Sequence, residues 1–293
     1  MHKAGFVNIV GNPNVGKSTL MNQLVGEKLS IATFKAQTTR HRIMGIVNTE
    51  DTQIVFSDTP GVLKPNYKMQ EMMLQFSESA LADADILLYV TDVVEDPEKN
   101  MDFLEKVSKM SIPVILLINK IDESDQKTLG NLVTKWHGLL PNAEILPSSA
   151  KNKFGVDILL KRVHELLPES PAFFDKDQLT DKPAKFFVSE IIREKILRYY
   201  DKEIPYSVEV VIERFKEDDR QIHISAIIYV ERSSQKGIII GHQGMALKKV
   251  STEARKSLER FFDKKIFLET FVKVDKDWRN SQKELKHFGY SPE

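Results

Sequence analysis

Short apolar runs alternate with stretches of helical periodicity along the first part of the chain. The runs at 86–91 and 113–118 are apolar on both faces, which is typical of strands buried in a parallel sheet covered by helices. The pattern predicts strands at 5–10, 43–48, 53–57, 86–91, 113–118 and 144–147. It predicts helices at 17–25, 68–82, 98–109, 125–139 and 155–166. This alternation indicates a doubly wound, mostly parallel α/β domain.

The pattern changes near residue 168, and the residues beyond this point predict a second, smaller α+β domain. Residues 169–184 hold two prolines among Asp and Lys, and we expect a linker there. Beyond the linker, the predicted elements are a helix at 185–200, strands at 206–214 and 221–231, a helix–glycine loop–helix unit at 234–262, a strand at 266–274 and a short helix near 275–287. We therefore expect domains at 1–168 and 185–293, close to the usual size of roughly 150 residues.

Composition and charge narrow the class of protein. The chain has no cysteine, which excludes a disulfide scaffold, a thiolate zinc site and a cysteine nucleophile. No apolar run approaches the roughly 18 residues that span a bilayer, and the first residues do not resemble a signal peptide, so we expect a cytoplasmic protein.

The distribution of charge differs between the two predicted domains. The formal net charge is zero, but residues 1–184 carry −4 and residues 185–293 carry +4. Within 232–265 there are nine basic and three acidic residues. This asymmetry favours a polyanionic partner for the second domain, although a solvated charged face is the commoner explanation of such a pattern.

Residues 11–18 read Gly-Asn-Pro-Asn-Val-Gly-Lys-Ser, a GxxxxGKS motif between a predicted strand and a predicted helix. In this context backbone N–H groups and the helix N-terminus surround phosphates, whereas a chance glycine-rich turn would have no reason to lie there. We expect Lys17 to reach the β- and γ-phosphates and the Ser18 hydroxyl to bind Mg²⁺. The predicted phosphate-binding residues are Gly11, Asn12, Pro13, Asn14, Val15, Gly16, Lys17, Ser18 and Thr19.

A second motif, Asp58-Thr59-Pro60-Gly61, comes directly after the strand predicted at 53–57. An Asp at the end of a buried strand can hold Mg²⁺, usually through water, and Gly61 has no side chain to keep its N–H from the γ-phosphate.

Between these two motifs, at 11–18 and 58–61, we expect a Thr to close onto Mg²⁺. Thr39 is the first choice and Thr38 the second, which makes Ser18, Thr39 and Asp58 the predicted metal ligands.

Two further tetrapeptides predict the base. In Asn119-Lys120-Ile121-Asp122, the Asp122 carboxylate can accept from guanine N1–H and the exocyclic amine, a donor pair that adenine lacks. Asn119 is expected to tie this loop to the phosphate loop, and the Lys120 stem to lie on the base. In Ser148-Ser149-Ala150-Lys151, the Ala150 N–H is expected to donate to guanine O6. The remaining predicted GTP-binding residues are Asp58, Thr59, Pro60, Gly61, Asn119, Lys120, Asp122, Ser149, Ala150 and Lys151.

With these motifs in order, residues 1–168 resemble a translation-factor-class GTPase domain with a P-loop. The Asn-Pro-Asn segment at 12–14, the Gln-Thr-Thr-Arg segment at 37–40 and the second predicted domain resemble the Era family over nearly the whole chain. The resemblance implies hydrolysis of GTP to GDP, binding near the 3′ end of small-subunit ribosomal RNA, and a role in assembly of the small ribosomal subunit. It also implies a peripheral contact with the inner face of the bacterial membrane, and we expect a monomer.

The resemblance bears on the hydrolysis step as well. Val62 stands where Ras-like GTPases carry a Gln that orients the attacking water. In relatives with a hydrophobic residue there, the phosphate-loop Asn, here Asn14, helps to hold K⁺; the alternative is that Asn14 only caps or stiffens the loop. We expect slow basal hydrolysis that depends on Mg²⁺ and K⁺, with Lys17, Thr39, Gly61 and Asn14 as the catalytic group.

The second domain carries its own motif, Gly-Ile-Ile-Ile-Gly-His-Gln-Gly at 237–244. With the element order α, β, β, α, loop, α, β, it resembles the type II KH domain of Era proteins, in which a GxxG turn lets an RNA backbone approach and an apolar groove takes the bases. The predicted RNA-binding residues are Lys236, Gly241, His242, Gln243, Gly244, Lys248 and Lys249, with further phosphate attraction from Arg255 and Lys256.

Some alternatives stay open in this sequence. His242 and Gln243 replace the Lys, Arg or Gly that KH loops often carry, and Ser251 stands where the family often has Gly, which leaves the strength of the phosphate clamp open. Core packing of Trp278 is favoured over an RNA contact. The alternative function is an RNA-binding assembly factor whose nucleotide domain senses GTP with negligible turnover; a membrane-trafficking GTPase would leave the second domain unexplained.

Overall fold

The structure, a computed structural model, describes residues 1–291, which form two compact units. The first contains residues 1–66 and 70–181, and the second contains residues 182–291. No helix in the described range is long and apolar enough to cross a membrane.

The first unit is built on a six-stranded sheet. Its strands are β1 (Lys3–Val10), β2 (Ile43–Asn48), β3 (Thr52–Asp58), β4 (Ile86–Asp92), β5 (Val114–Asn119) and β6 (Glu144–Pro147). They lie in the order β2-β3-β1-β4-β5-β6, and every pair is parallel except β2 with β3. Every residue of β4 is buried, as expected for a strand covered by helices on both faces. The prediction of a mostly parallel α/β sheet is confirmed.

Four helices connect these strands, α1 (Lys17–Val25), α2 (Lys68–Ala82), α3 (Met101–Ser108) and α4 (Gln126–Leu139), and α5 (Val156–Leu166) follows β6. Helix α3 begins three residues later than predicted. The Asp96 side chain accepts a hydrogen bond from the Glu98 N–H at 3.1 Å, and the Asp96 carbonyl accepts from Lys99 at 3.2 Å. These local bonds hold a turn that competes with the helix until Asn100.

The carboxyl ends of β1, β3, β4 and β5 meet at one edge of the sheet because these strands are parallel. Strand β1 lies between β3 and β4, so β2 and β3 lie on one side of β1, and β4 and the later strands lie on its other side. A crevice at such a reversal is where open α/β sheets bind ligands. The loops after β1, β3 and β5, together with the loop after the neighbouring parallel strand β6, carry the four nucleotide motifs predicted from the sequence.

The segment predicted as a linker differs from that prediction over residues 169–181, which lie against the first unit. The Ile46 N–H donates to the Leu179 carbonyl at 2.8 Å, and the Thr180 hydroxyl donates to the Met44 carbonyl at 2.7 Å. The buried Gln53 side chain accepts from the N–H of Phe173 at 2.7 Å. Strand β2 is an edge strand with unpaired backbone groups, and these residues pair with it.

The second unit contains a three-stranded sheet covered by helices. Its elements are α6 (Ala184–Tyr199), α7 (Ile204–Ser207), β7 (Glu209–Glu217), β8 (Gln221–Val230), α8 (Ser233–Ile240), α9 (Met245–Phe262), β9 (Lys265–Val274) and α10 (Gln282–His287). Strand β8 is antiparallel to β7 and parallel to β9. Strand β7 begins later than predicted because Pro205 lies in the first turn of α7, a position that suits its fixed φ. The predicted α+β element order is confirmed.

Helix α6 is buried on more than the one face that an amphipathic helix would bury. Its apolar residues join the core of the unit beside β7 and α9. Arg193, 1% exposed, makes two hydrogen bonds of 2.7 Å to the two carboxylate oxygens of Glu190. A guanidinium fits a carboxylate in this bidentate way, which compensates part of the cost of burying both charges.

Trp278 lies in the core of the second unit, as the favoured interpretation predicted. It is fully buried, its indole N–H donates to the Ser207 carbonyl at 3.2 Å, and its ring meets the Phe288 ring edge-on at 5.4 Å. The segment after β9 therefore closes the core of this unit.

Replacing Glu190 by Ala should destabilise the second unit by about 3 kcal/mol, because a buried guanidinium loses two charge-assisted hydrogen bonds. The measurement is urea unfolding followed by Trp278 fluorescence in a Trp136→Phe background. Glu213→Ala is the matched control, because Glu213 pairs with Lys273 at 3.5 Å where both side chains are about half exposed; it should cost less than about 1 kcal/mol. Equal effects of the two changes would contradict the prediction.

Candidate nucleotide site and nucleic-acid interface

A cleft of about 770 Å³ lies at the carboxyl edge of the first unit's sheet. Segments 31–34 and 37–39 also line it. The predicted nucleotide-binding residues on its wall are Pro13, Asn14, Gly16, Lys17, Ser18, Thr19, Thr59, Gly61, Asn119, Lys120, Asp122, Ser149, Ala150 and Lys151. The other five, Gly11, Asn12, Val15, Asp58 and Pro60, are buried and do not line the cleft. The four motifs therefore meet in one place.

The phosphate loop requires glycine where it touches its neighbours. Gly11 has φ +145°, and a Cβ there would lie 2.1 Å from the Val90 carbonyl oxygen. Gly16 has φ +99°, and a Cβ there would lie 2.2 Å from the Asn119 side chain. Both positions combine a backbone conformation that other residues rarely adopt with no room for a side chain.

The Asn119 side chain connects the phosphate loop to the last motif. Its Nδ2 donates to the Val15 carbonyl at 2.8 Å, and its Oδ1 accepts from the Ala150 N–H at 2.9 Å. The contact with the phosphate loop is the one predicted from the sequence. The contact with Ala150 differs from the prediction, because that N–H, expected to donate to guanine O6, already has a partner; a base at this position must share or replace it.

Lys17 lies in the middle of the phosphate loop. Its ammonium group donates to the carbonyls of Gly11 at 3.0 Å and Asn12 at 2.7 Å. Burial lowers the pKa of Lys17 to about 8, while the charges of Asp58 and Glu95 act in the opposite direction. A phosphate group in the cleft would supply the negative charge that a buried ammonium lacks.

Three oxygen-bearing side chains converge beside the phosphate loop. Ser18 Oγ donates to Asp58 Oδ2 at 2.8 Å and lies 2.8 Å from Thr39 Oγ1, which is itself 3.3 Å from Asp58 Oδ2. Asp58 is fully buried, and its Oδ1 has no hydrogen-bond partner among the described residues. Burial raises the pKa of Asp58. A buried carboxylate with an unpaired oxygen beside two hydroxyls is a donor set that fits Mg²⁺.

Thr38, the second choice for the metal ligand, has a different position. Its hydroxyl donates to the Lys35 carbonyl at 2.5 Å and lies 2.7 Å from Thr33 Oγ1. These bonds stay within the loop, so Thr38 stabilises the turn at 33–38. The geometry therefore favours Thr39 as the residue that closes onto the metal.

The Asp58-Thr59-Pro60-Gly61 turn packs directly on the phosphate loop. A Cβ at Gly61 would lie 2.6 Å from the Pro13 Cα, and the Thr59 hydroxyl donates to the Ile9 carbonyl at 2.8 Å. The Ser77 hydroxyl donates to the Pro60 carbonyl at 2.8 Å. Only glycine fits at position 61, as expected for a residue whose N–H approaches a phosphate.

At the other end of the cleft, Asp122 accepts a hydrogen bond from the Ser149 hydroxyl at 2.5 Å. This bond is the main cause of a lowered pKa of Asp122, so the carboxylate is ionised and acts purely as an acceptor at neutral pH. That is the state required to accept two hydrogen bonds from guanine.

Sequence reasoning missed several residues around the site. Asp92 is one of them, since its Oδ2 lies 2.6 Å from Lys120 Nζ. Asn100, at the start of α3, is another, and it donates to the Asn12 side chain and to the Val62 carbonyl. Phe34, 87% exposed, also lines the cleft. Asp92 could have been found, because it ends a buried parallel strand as Asp58 does. Nothing in the local pattern marks Asn100.

The predicted GxxG turn of the second unit is an exposed, tight turn between α8 and α9. Gly241 has φ +71° and Gly244 has φ +76°, and His242 and Gln243 between them are exposed. A Cβ at Gly241 would lie 2.6 Å from the Ala246 Cβ, so the turn again needs glycine. An RNA backbone can approach such a surface closely.

Some of the basic residues around this turn already contact an aromatic ring or a carboxylate. Lys248 is exposed and Lys236 half-buried, while the Lys249 ammonium lies over the Tyr199 ring, 4.5 Å from its centroid. Arg255 pairs with Glu259 at 2.6 Å and Lys256 with Glu253 at 2.9 Å, so these two contribute less attraction for phosphate than predicted.

Ser251 does not distort α9. Its hydroxyl donates to the Leu247 carbonyl at 2.8 Å and lies 2.7 Å from the Thr270 hydroxyl on β9. The departure from Gly at this position is therefore accommodated by hydrogen bonds between the helix and the strand. The fold of the turn does not depend on a glycine there.

Replacing Asp122 by Asn should lower GTP and GDP affinity at least about 100-fold, because the amide can no longer accept from both guanine donors. Xanthosine nucleotides present the inverted pattern and should gain affinity. Asn can still accept from Ser149, so the loop should keep its shape. Titration with guanosine and xanthosine diphosphates measures the change. Asp125→Asn is the control, since Asp125 caps α4 through Thr128 and Asn caps equally well; unchanged GTP affinity in Asp122→Asn would refute the base assignment.

Comparison with known proteins agrees with this geometry. A family model described as a 50S ribosome-binding GTPase matches residues 6–120, and one described as a KH domain matches residues 203–279. GTPase Era of Clostridium kluyveri is 44% identical over 292 residues, covering 99% of this chain and 100% of that protein. GTPase Era of Geobacter sp. strain M21 is 46% identical over 290 residues, covering 98% of each.

Two solved structures match along the whole length. A crystal structure of Era in complex with MgGDPNP and nucleotides 1506–1542 of 16S ribosomal RNA has a TM-score of 0.95 and 37% identity, covering 100% of both chains. An Aquifex aeolicus Era variant bound to GDP·AlF4⁻ has a TM-score of 0.94 and 37% identity, covering 99% of this chain and 100% of that one. With its P-loop GTPase unit followed by a KH unit, and with relatives of this identity over its full length, the chain belongs to the Era family of GTPases.

Proposed function

We propose that this chain is a GTP-hydrolysing switch that binds the 3′ region of small-subunit ribosomal RNA and acts in assembly of the small ribosomal subunit. The observation that carries the proposal is the presence, on one chain, of a guanine-specific phosphate cleft and an exposed GxxG turn. The Era structure that matches the full length was solved with MgGDPNP and a 16S rRNA fragment, which supports the same pair of ligands for this chain.

Within the cleft, each residue has a distinct role. Lys17 is placed for the β- and γ-phosphates, the Gly61 N–H faces the phosphate loop, and Asp122 selects guanine. Ser18, Thr39 and Asp58 would hold Mg²⁺, which neutralises the charge of the phosphates when bound. Val62 is buried and has no polar group in its side chain, so positioning of the water falls to backbone groups of the turn.

Turnover is better supported than sensing alone. A relative with 37% identity was solved with GDP·AlF4⁻, which mimics a phosphoryl group in transfer. The ammonium of Lys17 and the oxygens of Ser18, Thr39 and Asp58 lie together beside the phosphate loop, where such chemistry needs them. The slow basal rate stays a prediction.

Potassium binding at Asn14 is a finer part of this proposal. Asn14 has φ +68°, is exposed and lines the cleft, and its side chain has no hydrogen-bond partner among the described residues. A side chain that capped or stiffened the loop would be bonded to it. The free amide oxygen instead favours a role as a ligand of a monovalent cation beside the phosphates.

Turnover should fall at least about tenfold when Na⁺ replaces K⁺, since a charge that stabilises the transition state is lost. Asn14→Ala should be slow in both salts. The measurement is single-turnover GTP hydrolysis at fixed ionic strength. Native protein that turns over equally fast in the two salts rules out a K⁺ role.

Replacing His242 and Gln243 by Asp should weaken RNA binding at least about tenfold, because two negative charges then face the phosphate backbone. Basal GTP hydrolysis should stay native, since all residues assigned to the nucleotide lie before position 152, and any stimulation by RNA should disappear. The same two positions changed to Asn provide a neutral control. Filter binding and turnover with and without RNA are the measurements; native RNA binding by the double Asp variant would contradict the GxxG assignment.

The location in the cytoplasm is proposed from the sequence, and the membrane contact from the family resemblance. We place the chain in the cytoplasm, with peripheral contact to the inner face of the bacterial membrane, and as a monomer. These stay predictions, which cell fractionation and sedimentation measure directly.

A further inference from the structure

The residues between β4 and α3 form a bracket beside the phosphate loop, here called the 92–100 bracket. Asp92 holds its start: Oδ1 accepts from the N–H groups of Val94 at 3.0 Å and Glu95 at 2.9 Å, and Oδ2 pairs with Lys120 at 2.6 Å. The bracket is therefore tied to the loop that carries Asp122, the residue predicted to read the base.

The bracket holds the Asn12 side chain, which is 4% exposed. Asn100 Nδ2, at the end of the bracket, donates to Asn12 Oδ1. The Asn12 carbonyl in turn accepts from Lys17 at 2.7 Å. Asn12 is thus held by a group outside the phosphate loop, although it touches the ammonium that faces the phosphates.

Asn100 also reaches the turn after β3. Its Nδ2 donates to the Val62 carbonyl at 3.1 Å, while the Val62 N–H donates to the Gly11 carbonyl at 3.0 Å. Both backbone polar groups of Val62 are therefore held, one by the phosphate loop and one by the bracket. Because Val62 cannot orient water with its side chain, the position of this backbone decides where water and the Gly61 N–H can lie.

The local structure of α3 shows that this use of Asn100 has a cost. Asn100 is the N-cap residue of α3, a position where an Asn side chain usually accepts from the first turn of the helix. Within the described residues it makes no such capping bond. The amide is committed to Asn12 and Val62 instead.

We infer that Asn100 is a positioning residue for GTP hydrolysis, which clasps the Gly61–Val62 backbone onto the phosphate loop through Val62 and Asn12. The inference rests on the GTPase activity of the first unit. It assigns Asn100 no contact with the nucleotide. The expected signature is a loss in the hydrolysis step with nucleotide binding retained.

The test is Asn100→Asp, assayed by single-turnover GTP hydrolysis, GDP titration and thermal melting. Asp has the same shape and caps a helix as well as Asn, so α3 should be retained. It lacks the N–H groups that Asn12 and Val62 accept from. The hydrolysis rate should fall about tenfold or more, because a shift of the turn misplaces the reacting groups. The dissociation constant of GDP should change less than about twofold.

Further variants sharpen the outcome. Asp102→Asn, an exposed change in the first turn of the same helix, is the matched control and should keep the native rate. Asn12→Ala and Asn100→Ala should each slow hydrolysis, and the double variant should be little slower than either, because the two act as one unit. A native rate in Asn100→Asp overturns the inference. Equal losses in rate and in GDP affinity also overturn it, since Asn100 would then only support the folding of the loop. Native protein without any hydrolysis would be a failure of the GTPase function itself.

Discussion

The nucleotide site depends on the side-chain amide of Asn119. It donates to the phosphate loop and accepts from the loop that carries Ala150, so it fixes the distance between the phosphate end and the base end of the cleft. Gly16 has to be glycine because this amide occupies the space where a Cβ would lie. Asp122 lies three residues beyond the end of β5, so its position is set by the same Asn119 contacts. The phosphate end and the base end of the cleft are therefore held in register by one side chain.

Much of this site can be predicted from the sequence because its parts lie at the carboxyl ends of parallel strands. Strand periodicity brings Gly11, Asp58, Asn119 and Ser149 to one edge without any knowledge of side-chain contacts. The sequence does not distinguish Thr38 from Thr39, since both have the same chemistry and are adjacent. Their different hydrogen-bond partners in the structure do. The bond between Asn100 and Val62 joins residues 38 positions apart, and no local pattern records such a contact.

The parts of the fold that the sequence did not predict are those in which tertiary contacts outweigh local composition. Residues 169–181 look like a linker because they contain Pro171 and five charged residues, yet an edge strand offers them hydrogen bonds. Helix α6 looks amphipathic, yet its Glu190 and Arg193 are buried together because they neutralise each other. A charged residue in the sequence indicates a solvent-exposed position only when no residue of opposite charge lies close enough to pair with it.

The pairing of residues 179–181 with β2 links the connection between the two units to the strand that follows the Thr39 segment. The Asp181 carboxylate accepts from the Met44 N–H at 2.9 Å, and β2 starts at Ile43, four residues after Thr39. A pull on the chain at residue 182 would therefore act on β2 before it reached the segment that carries Thr39. If Thr39 closes onto Mg²⁺ as predicted and a bound RNA loads the connection, both events would act on the same short stretch of backbone.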